Sequence, residues 1–207
     1  MTLREYQPLA ERTMTWLDKV YSTKGSYLPE YTLDLIHMRL GMASELGELS
    51  EALKNGDEVN IKEELGDLMW YIANDIAICK KFNKFFVESI VSEQAVDNVL
   101  DYKFDKFPDI NANGENGYKS IVFVVSELVD HAKKYLAYQK PCLLENYGIY
   151  ILKVLDSIGE VARAYRIDMD SAMEVNIAKL KARYGDKFSS EKAINRDTDE
   201  ERKILEQ

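Results

Sequence analysis

The stretch His37-Met-Arg-Leu-Gly-Met-Ala-Ser-Glu45-Leu-Gly-Glu48-Leu-Ser-Glu-Ala-Leu-Lys-Asn-Gly56-Asp-Glu-Val-Asn-Ile-Lys-Glu-Glu64-Leu-Gly-Asp67-Leu-Met-Trp70-Tyr-Ile-Ala-Asn74-Asp-Ile-Ala77 decides the fold. From Glu30 to Leu53 apolar residues recur at helical spacing, in Leu33, Ile36, Leu40, Ala43, Leu46, Leu49 and Leu53. Asn55-Gly56-Asp57 supplies turn chemistry that stops this helix. A second helix is predicted to start with a capping box, Asn60 and Glu63, and to run through Leu65, Leu68, Met69, Ile72 and Ile76 to about Cys79.

Within this hairpin the acids form two pairs at i, i+3 spacing, Glu45 with Glu48 and Glu64 with Asp67, so each pair projects from one helix face. The pairs are symmetric about Gly56, so folding back there sets Glu45 level with Asp67 and Glu48 level with Glu64. Four facing carboxylates repel one another and take up protons unless a cation lies between them. All-oxygen ligation favours Mg²⁺ or Mn²⁺ over zinc or copper. A di-iron carboxylate site would need Glu-x-x-His pairs, and neither His37 nor His131 follows a glutamate by three. Gly47 and Gly66 sit nearly level inside the helices, at a cost of about 1 kcal/mol each against alanine. They are expected to let the two helices approach closely.

Outward from the hairpin, helical patterns continue over 84–104, 119–139, 143–166 and 168–184, and no segment reads as a sheet. The expected fold is all-α, a helical bundle. Residues 1–29 are read as an N-terminal helical segment, 108–118 (PDINANGENGY) as a linker, and 189–207 as a charged tail or lid. A shift of 82 residues lays Ser44-Glu45-Leu46 on Ser126-Glu127-Leu128, Glu48 on Asp130, Glu63 on Glu145 and Gly66 on Gly148. A shift of 81 lays Asp105-Lys106-Phe107 on Asp186-Lys187-Phe188. The chain therefore reads as two fused helical units, 30–107 and 119–188, and as such suits a monomer or a homodimer of internal pseudo-dimers.

These residues resemble the MazG-like, all-α nucleoside triphosphate pyrophosphohydrolases, whose hallmark is an ExxE motif, a spacer and an ExxD motif on adjacent helices. HMRLGMASELGELSEALK (37–54), EELGDLMWYIANDIA (63–77) and the later block NIAKLKARYGDKF (176–188) with Asn195-Arg196-Asp197 carry the likeness. About 90 residues separate the ExxD helix from the later block, where simple members have almost none. The second unit's acid positions have become Glu127, Asp130, Asn146 and Ile149. The expected arrangement is one complete site, with acids from the first unit and cationic groups from the second.

The resemblance implies Mg²⁺-dependent cleavage of a nucleoside triphosphate to the monophosphate and pyrophosphate. Glu45, Glu48, Glu64 and Asp67 are then the metal ligands, with Glu48 or Glu45 as the catalytic carboxylate. Lys179 and Arg183 are implied as cationic phosphate partners, and Asn176 and Tyr184 as polar supports. Trp70, Tyr71 and Asn74 follow the acid motif with the stacking and amide groups a base pocket uses. His37, two turns before Glu45, is placed along the same cleft, and Lys54 near the turn within reach of phosphate. Two other readings stand beside this one: a pyrimidine-specific enzyme of the all-α dUTPase or dCTPase kind, and a non-enzymatic metal- or nucleotide-binding protein.

Composition bounds the partners. A net charge of −9 opposes unaided binding to nucleic acid. No apolar run reaches the roughly 18 residues a bilayer span needs, and the charged N-terminus lacks the apolar stretch of a signal peptide. Cys79 and Cys142 have no metal-ligand spacing and suit a reducing compartment. The expected location is cytoplasmic.

Overall fold

The computed structural model describes residues 1–14, 32–83, 99–104, 112–138, 147–185, 188–195 and 198–206. Its helices are α1 (Leu3–Glu11), α2 (Thr32–Asn55), α3 (Glu58–Asn83), α4 (Gly114–Tyr138), α5 (Tyr147–Ala164), α6 (Met169–Tyr184), α7 (Ser190–Ile194) and α8 (Thr198–Leu205). No strand occurs among the described residues. The all-α expectation holds. Most of the helix expected over 84–104, and the segments holding Cys142, Glu145, Asn146 and Asp105–Phe107, lie outside the described residues.

The hairpin of α2 and α3 turns at Gly56, which adopts φ +63, a conformation open to glycine without a Cβ penalty. The cap of α3 is Asp57 and not Asn60. The Asp57 carboxylate accepts from the Asn60 backbone N–H at 3.1 Å, and Asn60 Nδ2 donates to the same carboxylate at 2.9 Å. Glu58 and Val59 are therefore already helical, and the helix continues to Asn83, one turn past the expected end.

On α2 the buried stripe is Leu35, Met38, Met42, Leu46 and Leu49. Leu40 is 56 % exposed and Ala43 is exposed, so the predicted stripe is correct only from Leu46 onward. Ala43 lines an open groove between α2 and α4 together with Gly47, Tyr118 and Val122. On α3 the expected core residues Leu65, Leu68, Met69, Ile72 and Ile76 are all buried.

A second antiparallel hairpin, α4 with α5, packs on the first, and one continuous core joins them. The expected linker 108–118 overlaps this hairpin. Asn113 caps α4 through its side chain, accepting from Asn116 N–H at 3.0 Å, and Gly114 to Tyr118 are helical. The glycines that read as turn signals serve packing instead, since a Cβ on Gly117 would lie 2.9 Å from the Ser157 carbonyl oxygen on α5.

A buried ion pair, Arg39 Nε to Asp75 Oδ2 at 3.1 Å, crosses from α2 to α3. Tyr147 of α5 donates to Asp75 Oδ1 at 2.5 Å, and Arg39 Nη1 donates to the Leu128 carbonyl of α4 at 3.2 Å. This network stitches the two hairpins together. Buried charges are stable only when so partnered.

α3 is the central element, packed against α2, α1 and α6. The stretch read as a charged tail or lid holds α7 and α8. α8 is docked on α6, with Glu201 and Leu205 buried. No helix among the described residues is long and apolar enough to cross a membrane.

Candidate active site

Folding at Gly56 brings the two acid pairs together across the hairpin. One carboxylate oxygen from each of Glu45, Glu48 and Glu64 lies within 4.8 Å of the others. Glu64 is buried, Glu45 half-buried and Glu48 exposed. Burial, and then the nearby Asp67 charge, push the Glu64 carboxyl up to about 9 and the Glu45 carboxyl to about 7. Glu64 Oε2 is buried and has no hydrogen-bond partner among the described residues. A buried oxygen without a partner, on a carboxyl group clustered with two others, is what a divalent, oxygen-seeking cation satisfies. The donor set therefore fits Mg²⁺ or Mn²⁺.

Asp67 is held differently. Lys179 Nζ donates to its Oδ2 at 2.6 Å and its Oδ1 at 2.8 Å, and Asn176 Nδ2 donates to Oδ1. Lys179 also pairs with Glu63 Oε1 at 3.1 Å. Burial alone would lower the Lys179 pKa, but Asp67 and Glu63 outweigh it and hold the ammonium above its ordinary value. Gly66 makes this approach possible, because a Cβ there would lie 3.0 Å from the Ala172 carbonyl oxygen and 3.1 Å from Asn176 Cβ on α6. The expectation that Gly47 and Gly66 serve the contact of α2 with α3 is thus corrected. Gly66 serves α6, and a Cβ on Gly47 would meet nothing within 4 Å among the described residues. The glycine at the α2–α3 contact is Gly41, where a Cβ would be driven into the Tyr71 ring.

A cavity of about 560 Å³ opens over the acids. Glu45, Glu48, Glu64 and Asp67 line it, as do His37, Trp70, Tyr71, Arg183 and Tyr184. The Trp70 and Tyr71 rings meet edge to face at 4.9 Å, and the His37 ring stands edge-on to Tyr71 at 6.3 Å. Burial lowers the His37 pKa, which keeps the ring neutral, and its Nδ1 is buried without a hydrogen-bond partner among the described residues. Burial, followed by the charges of Glu45 and Asp67, raises the Tyr71 pKa, so its hydroxyl keeps its proton. Trp70 Nε1 donates to Thr13 Oγ1 at 3.1 Å, tying α3 to the end of the N-terminal segment.

Arg183 is the one lysine or arginine among the described lining residues. Glu201 of α8 grips it through two hydrogen bonds, Nε to Oε1 at 2.7 Å and Nη2 to Oε2 at 2.5 Å. Tyr184 lies beside the Arg183 guanidinium, 5.6 Å from ring centre to Cζ, and packs against Phe188 at 5.1 Å.

Four expected substrate residues do not line the cavity. Asn176 and Lys179 face Asp67 from α6 and are buried there. Asn74 is fully buried, its Nδ2 donating to the Trp70 carbonyl at 2.9 Å, because its position turns it into the bundle. Lys54 is exposed in the last turn of α2, where the helix dipole accounts for a cation. Sequence reasoning missed Thr13, Asn60, Glu63, Leu180 and Phe188 as lining residues. Of these Glu63 had a signal, one helical turn before Asp67 on the same face. Thr13 and Phe188 reach the cavity through tertiary packing, which no local spacing encodes.

An all-helical chain with a carboxylate-lined, cation-fitting cleft between two antiparallel helices defines the class. Residues 35–96 match the family described as the MazG nucleotide pyrophosphohydrolase domain. The match spans both acid motifs and ends before α6, which supplies Asn176, Lys179 and Arg183. No curated protein and no solved structure matches the chain significantly.

Proposed function

We propose that this protein is a divalent-cation-dependent hydrolase that converts a nucleoside triphosphate and water to the nucleoside monophosphate and pyrophosphate. The observation that carries the reading is the convergence of Glu45, Glu48 and Glu64 within 4.8 Å, with a buried orphan oxygen on Glu64, inside the stretch that matches the family.

Glu45, Glu48, Glu64 and Asp67 would hold Mg²⁺, with Mn²⁺ as a substitute. When bound, the ion supplies charge neutralisation for the triphosphate and Lewis acidity for the reaction. Arg183 stands beside the acids as the cation that meets phosphate oxygens, its guanidinium fixed by Glu201. Lys179 and Asn176 donate hydrogen bonds to Asp67 and hold its carboxylate in place. Water attacks the α-phosphorus, the bond to the α,β-bridging oxygen breaks, and pyrophosphate departs with the electron pair. Glu48, the most exposed of the clustered acids, is best placed to take the proton of that water.

The aromatic side of the cavity, Trp70, Tyr71 and neutral His37, offers a stacking surface and an imidazole edge for a base. The site combines acids of α2 and α3 with groups of α6. That arrangement supports descent from a duplicated helical unit; among the described residues the second hairpin holds no comparable acid cluster.

The test is a panel of ribo- and deoxynucleoside triphosphates with Mg²⁺, products resolved by ion-exchange chromatography, with Glu48→Gln alongside. Monophosphate plus pyrophosphate, lost in the variant and with chelator, is the expected outcome. Orthophosphate and diphosphate would place the cut at another bond. Binding without turnover across the panel would move the reading to a nucleotide-binding protein.

A further inference from the structure

The acid cluster is backed by a chain of hydrogen bonds that begins in α1, outside the stretch matched to the family. Tyr6 is fully buried, and Asn176 is 2 % exposed. The Tyr6 hydroxyl donates to Asn176 Oδ1 at 2.6 Å and lies 3.4 Å from the Gly66 carbonyl oxygen. Asn176 Nδ2 then donates to Asp67 Oδ1. Residue separations of 170 and 109 along the chain show that only the tertiary fold brings these groups together.

Donor and acceptor chemistry fixes the direction of this chain. An ionised carboxylate only accepts hydrogen bonds, so Asn176 must turn Nδ2 toward Asp67. Its Oδ1 then points away, into the bundle, where a buried carbonyl oxygen without a donor is costly. The phenol answers it. With the amide pinned at one end by Tyr6, its other end presents a fixed N–H to Asp67, while Lys179 holds the second carboxylate oxygen. Gly66 leaves the room this needs, since a Cβ there would press on Asn176 Cβ at 3.1 Å.

We infer that Tyr6 is a positioning residue for Asp67: by locking the Asn176 amide it sets the aim of the Asp67 carboxylate and thereby the affinity of the acid cluster for a divalent cation. This inference rests on the reading of Glu45, Glu48, Glu64 and Asp67 as the cation site. Groups one shell out from metal ligands change metal affinity by roughly 10–100-fold when removed.

The experiment measures Mn²⁺ binding to the nucleotide-free full-length chain by electron paramagnetic resonance of the free ion. It compares the wild type, Tyr6→Phe and Tyr147→Phe. Tyr147 is the internal control, because it too is buried and donates to a carboxylate, Asp75, outside the cleft. Tyr6→Phe is expected to weaken Mn²⁺ binding about 10-fold or more. Tyr147→Phe should leave binding within about twofold of wild type, a stability cost without a positioning cost. Asn176→Leu breaks the same chain at its other link and should weaken binding at least as much, which keeps the test intact if Tyr6→Phe does not fold. Unchanged Mn²⁺ affinity in Tyr6→Phe and Asn176→Leu, or equal weakening in both tyrosine variants, overturns the inference while the cation site stands. Absence of Mn²⁺ binding by the wild type overturns the site reading itself.

Discussion

At Glu48 in the first hairpin and Asp130 in the second, a shift of 82 residues sets carboxylates at matching positions, each three residues after another acid. Glu48 turns toward Glu45 and Glu64 and gathers no lysine or arginine of its own helix. Asp130 instead takes Lys133 and Lys134 of its own helix, which hold its carboxyl down to about 2. Across the turn, the partner of Asp67 by the same shift is Ile149, which is 53 % exposed. The first hairpin gathers three carboxylates within 4.8 Å of one another; in the second, Asp130 is neutralised by lysines of its own helix. Clustered, partly buried carboxylates cost stability, so their presence in the first hairpin supports the reading that places function there.

The largest expected effect breaks that contrast directly. Glu64→Gln should lower kcat/KM for triphosphate hydrolysis by more than about 100-fold, beyond the loss seen when only outer-shell partners are removed. Asp130→Asn should stay within about twofold of wild type, as a solvated pair contributes little. Pyrophosphate release read on both variants checks this. Comparable losses in the two would erase the functional distinction between the hairpins.

The hairpin, its turn at Gly56 and the convergence of the acids were legible because they depend on i, i+3 spacing and on symmetry about one turn. Helix existence was legible for the same reason, since periodicity is local. The rest depends on which face meets which neighbour. Leu40 was read as core, yet it is exposed, and spacing alone cannot tell one apolar face of α2 from another. Gly47 and Gly66 have the same local sequence context but different neighbours, and the α6 partner of Gly66 lies more than 100 residues away. Lys179 was singled out through its motif as a phosphate partner. Its pairing with Asp67, and the burial that makes the pairing strong, were not legible. The Arg39–Asp75–Tyr147 network had no sequence signal at all, because a charge in a helix reads as a surface charge until its partners are known.

A smaller effect appears in stability. The folded state raises the Glu64 carboxyl to about 9 and the Glu45 carboxyl to about 7, against an ordinary value near 4.5. Between those limits the native state binds protons that the unfolded chain has released, so stability falls as pH rises. The contribution is fully present below about pH 4.5 and is lost as pH climbs through 7 toward 9. Thermal melts of chelator-treated protein should show this decline. Mg²⁺ should raise the melting temperature more at pH 8 than at pH 5, as protons no longer compete with it. Glu64→Gln should flatten the decline and raise metal-free stability at pH 8 while abolishing turnover. A flat profile in the wild type would mean that the three acids do not share charge as their separation implies.

The smallest effects come from the two motif glycines, which repeat the lesson of the hairpins at the scale of one methyl group. Gly66→Ala gains about 1 kcal/mol of helix propensity, but its Cβ meets the Ala172 backbone oxygen at 3.0 Å, and backbone cannot rotate away. Overpacking of this kind costs about 1–3 kcal/mol, so the net change is a loss, accompanied by weaker Mn²⁺ binding as α6 shifts with Asn176 and Lys179. Gly47→Ala meets nothing within 4 Å among the described residues and keeps the propensity gain whole. Its expected result is a stabilisation of about 1 kcal/mol, a rise of roughly 2–4 °C in melting temperature for a chain of this length, with Mn²⁺ affinity unchanged. Paired melting curves read both signs at once. A loss at Gly47→Ala would show that residue 47 is covered in solution by something other than the described residues, and the groove between α2 and α4 would then be the place to look for it.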